Sequence, residues 1–333
     1  MIKKLLLKLK KNPTVFYAMS IAATWANAGS LLNGIQTAQN NGILPYILWA
    51  IGNTLACIVF GLVALRIPKL VDVFTSKVMK IIMGIMCPFQ CWISMNGIQT
   101  VFSDTPIGKV GGIIIALVFA IFFIIVLYKY GIISNVLTDH LSWVSVYVII
   151  FILTIIVLIT SNGNYVALSS GVDQIGIGIK NCILLIPGAF LYPYYFALLE
   201  YNNQNKEGVK KINIQKSFIL GGVAFGVYLI FIFLMALAKF GMVANIIKAI
   251  LVTLIAISSL SSFLYSIFIT FGKKVGTGLN ILTIILWQFL IPLGVMGAWT
   301  LMASIRIYIV AGGIIAAYIW YFYEKSKKKK RVI

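Results

Sequence analysis

Ten apolar stretches, each about the twenty residues a helix needs to cross a bilayer, fill this chain almost from end to end. Apolar runs between polar or turn-forming breaks fall at about 16–38, 43–65, 77–102, 110–130, 139–160, 178–199, 216–239, 244–270, 278–298 and 304–323. Composition agrees with them. Of 333 residues 61% are hydrophobic and 10% are charged, and the mean hydropathy is +1.02, a balance foreign to water-soluble globules of this length. The sequence predicts an all-α integral membrane protein of ten transmembrane helices, one unit over 1–333 without a separate soluble domain, whose function lies within the bilayer.

The 27 Lys and Arg residues outnumber the 7 Asp and Glu, giving a formal net charge of +20. In a soluble protein such an excess would suggest nucleic acid; here it sits in short interhelical segments and two tails, where topology explains it better. With ten spans, the terminus side carries Lys3, Lys4, Lys8, Lys10, Lys11, Arg66, Lys69, Lys77, Lys80, Lys129, Lys206, Lys210, Lys211, Lys216, Lys273, Lys274, Lys325, Lys327 through Lys330, and Arg331. The other side carries Lys109, Lys180, Lys239, Lys248 and Arg306. Twenty-two against five predicts both termini in the cytoplasm of a cell-membrane protein, and supports the span count because one missed helix would scramble the alternation.

The start, MIKKLLLKLKK, has too short an apolar run for a signal peptide and no small-residue cleavage site follows, so 1–15 reads as a retained membrane-surface tail. That tail and the basic tail 324–333 are expected to lie against anionic lipid headgroups. Neither a specific nucleic acid nor an obligate protein partner is expected. Cys57, Cys87, Cys91 and Cys182 lie in apolar runs and read as free thiols. Cys87 and Cys91 share a helix face, but His140 is the only histidine and no carboxylate is near, so core packing is their expected role.

Two spans are interrupted. The first reads AATWANAGSLLNGIQTAQNNG, with small and amide residues where a simple anchor would carry leucine. The sixth reads ILLIPGAFLYPYYFALLE, with Pro187, Gly188 and Pro193 inside the membrane, where proline removes a backbone donor and glycine loosens the helix. They open the first five spans (16–160) and the second five (178–323). Broken helices at matching places in two halves point to inverted repeats with a binding site between them.

Three segments together resemble the sodium/solute symporter family, which contains sodium-coupled sugar, proline and related carriers. ATWANAGSLLNGIQTAQNNGILPYILWAIGNTLACIVFGLVALRIPKL is similar to that family's first core helix pair. YGIISNVLTDHLSW is similar to a family signature in which Gly131, Ser134, Thr138 and Asp139 fit, while Tyr130, Asn135 and Ser142 depart. AISSLSSFLYS resembles the run that carries the sodium hydroxyls, with Ser258, Ser259, Ser261 and Leu264 in place. The resemblance implies a five-plus-five inverted-repeat core, shortened here to ten helices.

It also implies a sodium site of five neutral oxygens: the carbonyls of Ala23, Ala26 and Ile255 and the hydroxyls of Ser258 and Ser259, with Ser261 and Ser262 offering the same pair one turn on. A proton is the alternative coupling ion. Asp139, placed at the start of the fifth span, is by the same resemblance a waypoint for the ion leaving inward; a helix N-cap formed by Thr138 and Asp139 is the other reading. Substrate candidates on the broken helices and the third span are Asn27, Ser30, Asn33, Gln36, Gln90, Asn96, Tyr192 and Tyr194. None is charged, so a small neutral or zwitterionic solute fits them better than a strongly charged one.

An enzyme is not expected, since one histidine and no intramembrane acid pair leave no visible acid–base machinery. The expected function is sodium-coupled symport by alternating access. A non-transporting scaffold or solute sensor built on a transporter core is the competing one.

Overall fold

The computed structural model describes residues 12–64, 76–161, 165–204 and 213–294 continuously, with single positions between Gly297 and Ser326. Among these residues every regular element is helical: α1 (Pro13–Trp25), α2 (Ala28–Asn41), α3 (Ile43–Ala64), α4 (Lys77–Phe102), α5 (Gly108–Tyr130), α6 (Ile132–Thr160), α7 (Ile175–Gly188), α8 (Pro193–Gln204), α9 (Ile214–Ala236), α10 (Met242–Phe271) and α11 (Lys273–Trp287). Short 3-10 turns occupy Val172–Gln174, Ala189–Leu191 and Ile291–Leu293. Seven helices are long and apolar enough to cross a membrane, or eight if the bent pair α1–α2 counts as one span.

Surface chemistry separates this bundle from a soluble one. Along α5, Gly112, Ala116, Ala120, Phe123, Ile124 and Leu127 form the buried stripe, while Val110, Ile114, Val118, Ile121 and Ile125 are exposed along another face, Val110 by 71% and Ile125 by 62%. The exposed side is as apolar as the buried one, which suits lipid and not water. α10 is the opposite case. Every residue from Ile255 to Phe268 is buried, because α1, α4, α6, α8 and α11 pack around it. Five serines therefore sit in the interior on a single helix, at 258, 259, 261, 262 and 266.

Close approach of backbones builds the centre. Gly97 of α4 meets Ala28 at the start of α2 so closely that a Cβ on Gly97 would lie 2.2 Å from that of Ala28. Small residues at such crossings let membrane helices pack where lipid supplies no hydrophobic drive.

Several boundaries differ from the sequence reading. The first span is longer than 16–38 and broken, with α1 and α2 at 60° to each other. The fifth begins at Ile132, just after Gly131 (φ 61°), and not at 139, so Asp139 lies seven residues inside α6 and is no N-cap. In the ninth region α11 has 15 residues and then gives way to the turn and 3-10 segment ending at Leu293. At 1.5 Å per residue that is about 22 Å, short of a hydrocarbon core of about 30 Å. The tenth span, 304–323, and both basic tails lie outside the continuously described residues.

Candidate functional site

The site begins with the break in the first span. α1 stops at Trp25, and Ala26 (ψ 65°) and Asn27 (ψ 168°) leave helical geometry before α2 starts at Ala28. Carbonyls in the last turn of a helix lack their usual partners and must find others. Trp25 O accepts the backbone N–H of Asn27 at 2.9 Å, and Thr24 O accepts the hydroxyl of Tyr192. Tyr192 is itself extended (ψ 113°), the residue between the 3-10 turn after α7 and the first residue of α8. Pro193 suits that place, since a helix's first residue needs no N–H. The two interruptions thus contact each other, reinforced by the Trp25 and Tyr192 rings at 4.8 Å between centroids.

Beside this junction lies the carboxyl of Asp139, wholly buried. Four side chains donate to it: Ser258 to Oδ1 at 2.5 Å, and to Oδ2 Ser20, Asn135 at 3.0 Å and Ser262 at 3.2 Å. A second ring of contacts ties the donors together. Tyr194 lies 2.5 Å from Ser20 and accepts from Asn135 at 3.1 Å. Thr24 donates to Ser262 at 2.8 Å, and Ser261 donates to Asn135 Oδ1 at 2.8 Å. Helices α1, α6, α8 and α10 all contribute.

Helical periodicity explains how they do so. Ser20 and Thr24, Asn135 and Asp139, and Ser258 and Ser262 are three pairs spaced by four, and that spacing puts both members on one face of their helix. Among the described residues no Lys or Arg pairs with Asp139; the ion pair they contain, Lys248 with Asp104, belongs to another place. A carboxylate out of water and without a protein counter-charge is costly by several kcal/mol, unless a proton or a cation neutralises it. The hydroxyl oxygens of Ser20, Ser258 and Ser262 beside the carboxyl, with the Tyr194 phenol next to Ser20, are of the hard kind that a cation such as sodium takes.

The sequence candidates divide around this cluster. Ser258 and Tyr194 belong to it, and Asp139, fully buried, is its centre. Ser259 points elsewhere: its hydroxyl pairs with Ser94 of α4 at 2.8 Å and returns to the carbonyls of Ile255 and Ala256. Ser258 and Ser259 therefore do not face one point together. Ala23, Ala26 and Ile255 are fully buried, the two alanines next to the break.

Asn27, Ser30 and Asn33 line the break itself. The Ser30 hydroxyl donates to Asn27 O at 2.9 Å, and the amides of Asn27 and Asn33 both lie over Gly29, where a Cβ would be 3.2 Å from Asn27 Oδ1 and 3.4 Å from Asn33 Nδ2. Asn33 Oδ1 is buried with no hydrogen-bond partner. Gln90 is buried on α4. Gln36 is exposed and lines a separate cavity with Asp104 and Lys248. Asn96 has another occupation: its amide donates to Leu290 O and Gly294 O, each at 3.0 Å, and accepts from the Trp287 indole at 2.8 Å, fastening α4 to the end of α11.

Ser20 and Thr24 were not singled out by sequence, and Asn135 stood only as a departure from the family pattern. The signal that marks them is the spacing by four on three separate helices. No protein-family model matches the chain, and no curated protein matches it either.

Proposed function

We propose that this chain is a sodium-coupled secondary transporter that carries a small neutral or zwitterionic polar solute by alternating access, through ten crossing helices arranged as two inverted repeats of five. The observation that carries the reading is Asp139: a buried carboxyl without a basic partner among the described residues, ringed by hydroxyl and amide donors from α1, α6 and α10 with Tyr194 of α8 behind them, beside the point where two interrupted helices touch. The sodium ion is cargo. Its arrival would neutralise Asp139 and draw Ser20, Ser258 and Ser262 together, tying α1 to α6 and α10; its departure would release them. The solute would occupy the adjoining break, where Asn27, Ser30 and Asn33 present amide and hydroxyl groups. Cytoplasmic termini, in a cell membrane with anionic lipid at the basic tails, complete the proposal.

Reconstituted uptake tests it. Proteoliposomes are given an inward sodium gradient or an inward proton gradient and assayed with a panel of labelled sugars, polyols, nucleosides and amino acids, for the wild type and for Asp139→Asn. Sodium-driven accumulation that disappears in the variant is the expected result. Accumulation driven by protons alone would make the coupling ion a proton, and accumulation under neither gradient would leave a scaffold or sensor.

A further inference from the structure

A second site lies away from Asp139, in a cavity of about 550 Å³ between the C-terminal ends of α2 and α4, the α9–α10 connection and the turn after α11. Chain direction places it at the end of the bundle opposite Ala64, Lys77 and Ile214. Its wall carries both signs of charge. Lys248, 13% exposed, stands 3.7 Å from Asp104, 60% exposed. A closed charge-assisted hydrogen bond is shorter, about 2.7–2.9 Å, so the two charges face each other across the wall without being locked together. Lys248 enters from α10 about 9 Å along its axis from Met242, and its ammonium lies 5.1 Å from the centre of the Phe240 ring. Apolar side chains of Leu32, Ile35 and Leu293 and the amide of Gln36 complete the surroundings.

We propose that this cavity is an outer binding site for a zwitterionic α-amino acid with an apolar side chain. Its carboxylate pairs with Lys248, its ammonium with Asp104, and its side chain rests on Leu32, Ile35 and Phe240. A ligand with both charges on one carbon replaces one internal ion pair with two and leaves nothing unpaired. A singly charged ligand must separate Lys248 from Asp104 and strand one of them, and a sugar gains no ion pair at all. Exposed Lys239 at the rim adds attraction for the carboxylate end. The inference deepens the transporter reading by naming the solute class, and it rests on that reading for the site's purpose but not for its binding chemistry.

The test is thermal stabilisation of the detergent-purified full chain in sodium-free buffer, which separates this site from the proposed sodium site. The probes are leucine, isopentylamine, which lacks its carboxylate, and 4-methylpentanoate, which lacks its ammonium, with the other neutral amino acids alongside. Leucine is expected to stabilise the wild type, each analogue requiring at least about tenfold higher concentration, as loss of a charged partner implies. Lys248→Gln should raise the leucine concentration needed at least about tenfold. Asp104→Asn, at an exposed position where folding is not at risk, should erase the preference for leucine over 4-methylpentanoate. The proposal is overturned if no neutral amino acid stabilises the wild type, if leucine and both analogues act alike, or if the two variants respond as the wild type does. Leucine binding without accumulation of any solute under either gradient would defeat the transporter reading and leave this site standing. Sodium-driven uptake of an uncharged solute without amino-acid binding would do the reverse.

Discussion

The hydroxyl of Ser258 donates to Oδ1 of Asp139 at 2.5 Å, across 119 residues of sequence and between two helices. Ser259, the next residue, turns about 100° around α10 and meets Ser94 instead. Their replacements should therefore part company. Ser258→Ala removes a donor to a buried carboxyl, a loss of about 1–3 kcal/mol, and is expected to weaken sodium-dependent thermal stabilisation by roughly ten- to a hundredfold in concentration. Ser259→Ala should leave the sodium response near wild type while lowering the sodium-free melting temperature. Equal effects on the sodium response would place both hydroxyls at one ion.

Thr24 and Ser262 join the end of α1 to α10 through one hydroxyl contact of 2.8 Å. Residues in direct contact within one polar network show coupling of about 0.5–3 kcal/mol in double-mutant cycles. The expected outcome for Thr24→Val, Ser262→Ala and the double variant is non-additivity of that size in sodium affinity. Simple addition would mean that the two helices do not act on the ion through this contact.

Asn96 is expected to matter for stability and not for solute. Asn96→Ala strands the indole N–H of Trp287, a side chain 1% exposed, at a cost of about 1–3 kcal/mol. Melting temperature should fall while solute concentration dependence stays unchanged in whichever uptake assay the wild type supports. A changed solute preference at unchanged stability would return Asn96 to the binding site.

At the crossing of α4 and α2, Gly97→Ala places a methyl 2.2 Å from the Ala28 Cβ. Overpacking of this kind costs about 1–3 kcal/mol. Adding Ala28→Gly should restore most of the lost thermal stability, because it removes the atom that was struck. If the pair is no more stable than Gly97→Ala alone, the helices do not cross there.

Cysteines placed at Gln39 and Ser326, both exposed, in a chain whose half-buried Cys182 is replaced by serine, should label from opposite sides of the membrane in intact cells and inverted vesicles. Labelling of both from one side would falsify the ten-span topology.

Membrane character, the approximate positions of the long helices and the two interruptions were all legible in the sequence. Each is a local property: twenty apolar residues in a row, a proline inside them, a cluster of amides where leucine would serve an anchor. The spacing by four in Ser20–Thr24, Asn135–Asp139 and Ser258–Ser262 is local too, since 3.6 residues per turn fixes which side chains share a face. What no local rule supplies is which faces meet. In a membrane the lipid-facing and core-facing sides of α5 are equally apolar, so hydropathy cannot tell the stretch of α10 from Ile255 to Phe268, buried all round, from a helix at the rim. Packing made Asp139 the centre of a four-helix cluster, sent Ser259 away from it, and gave Asn96 to the end of α11.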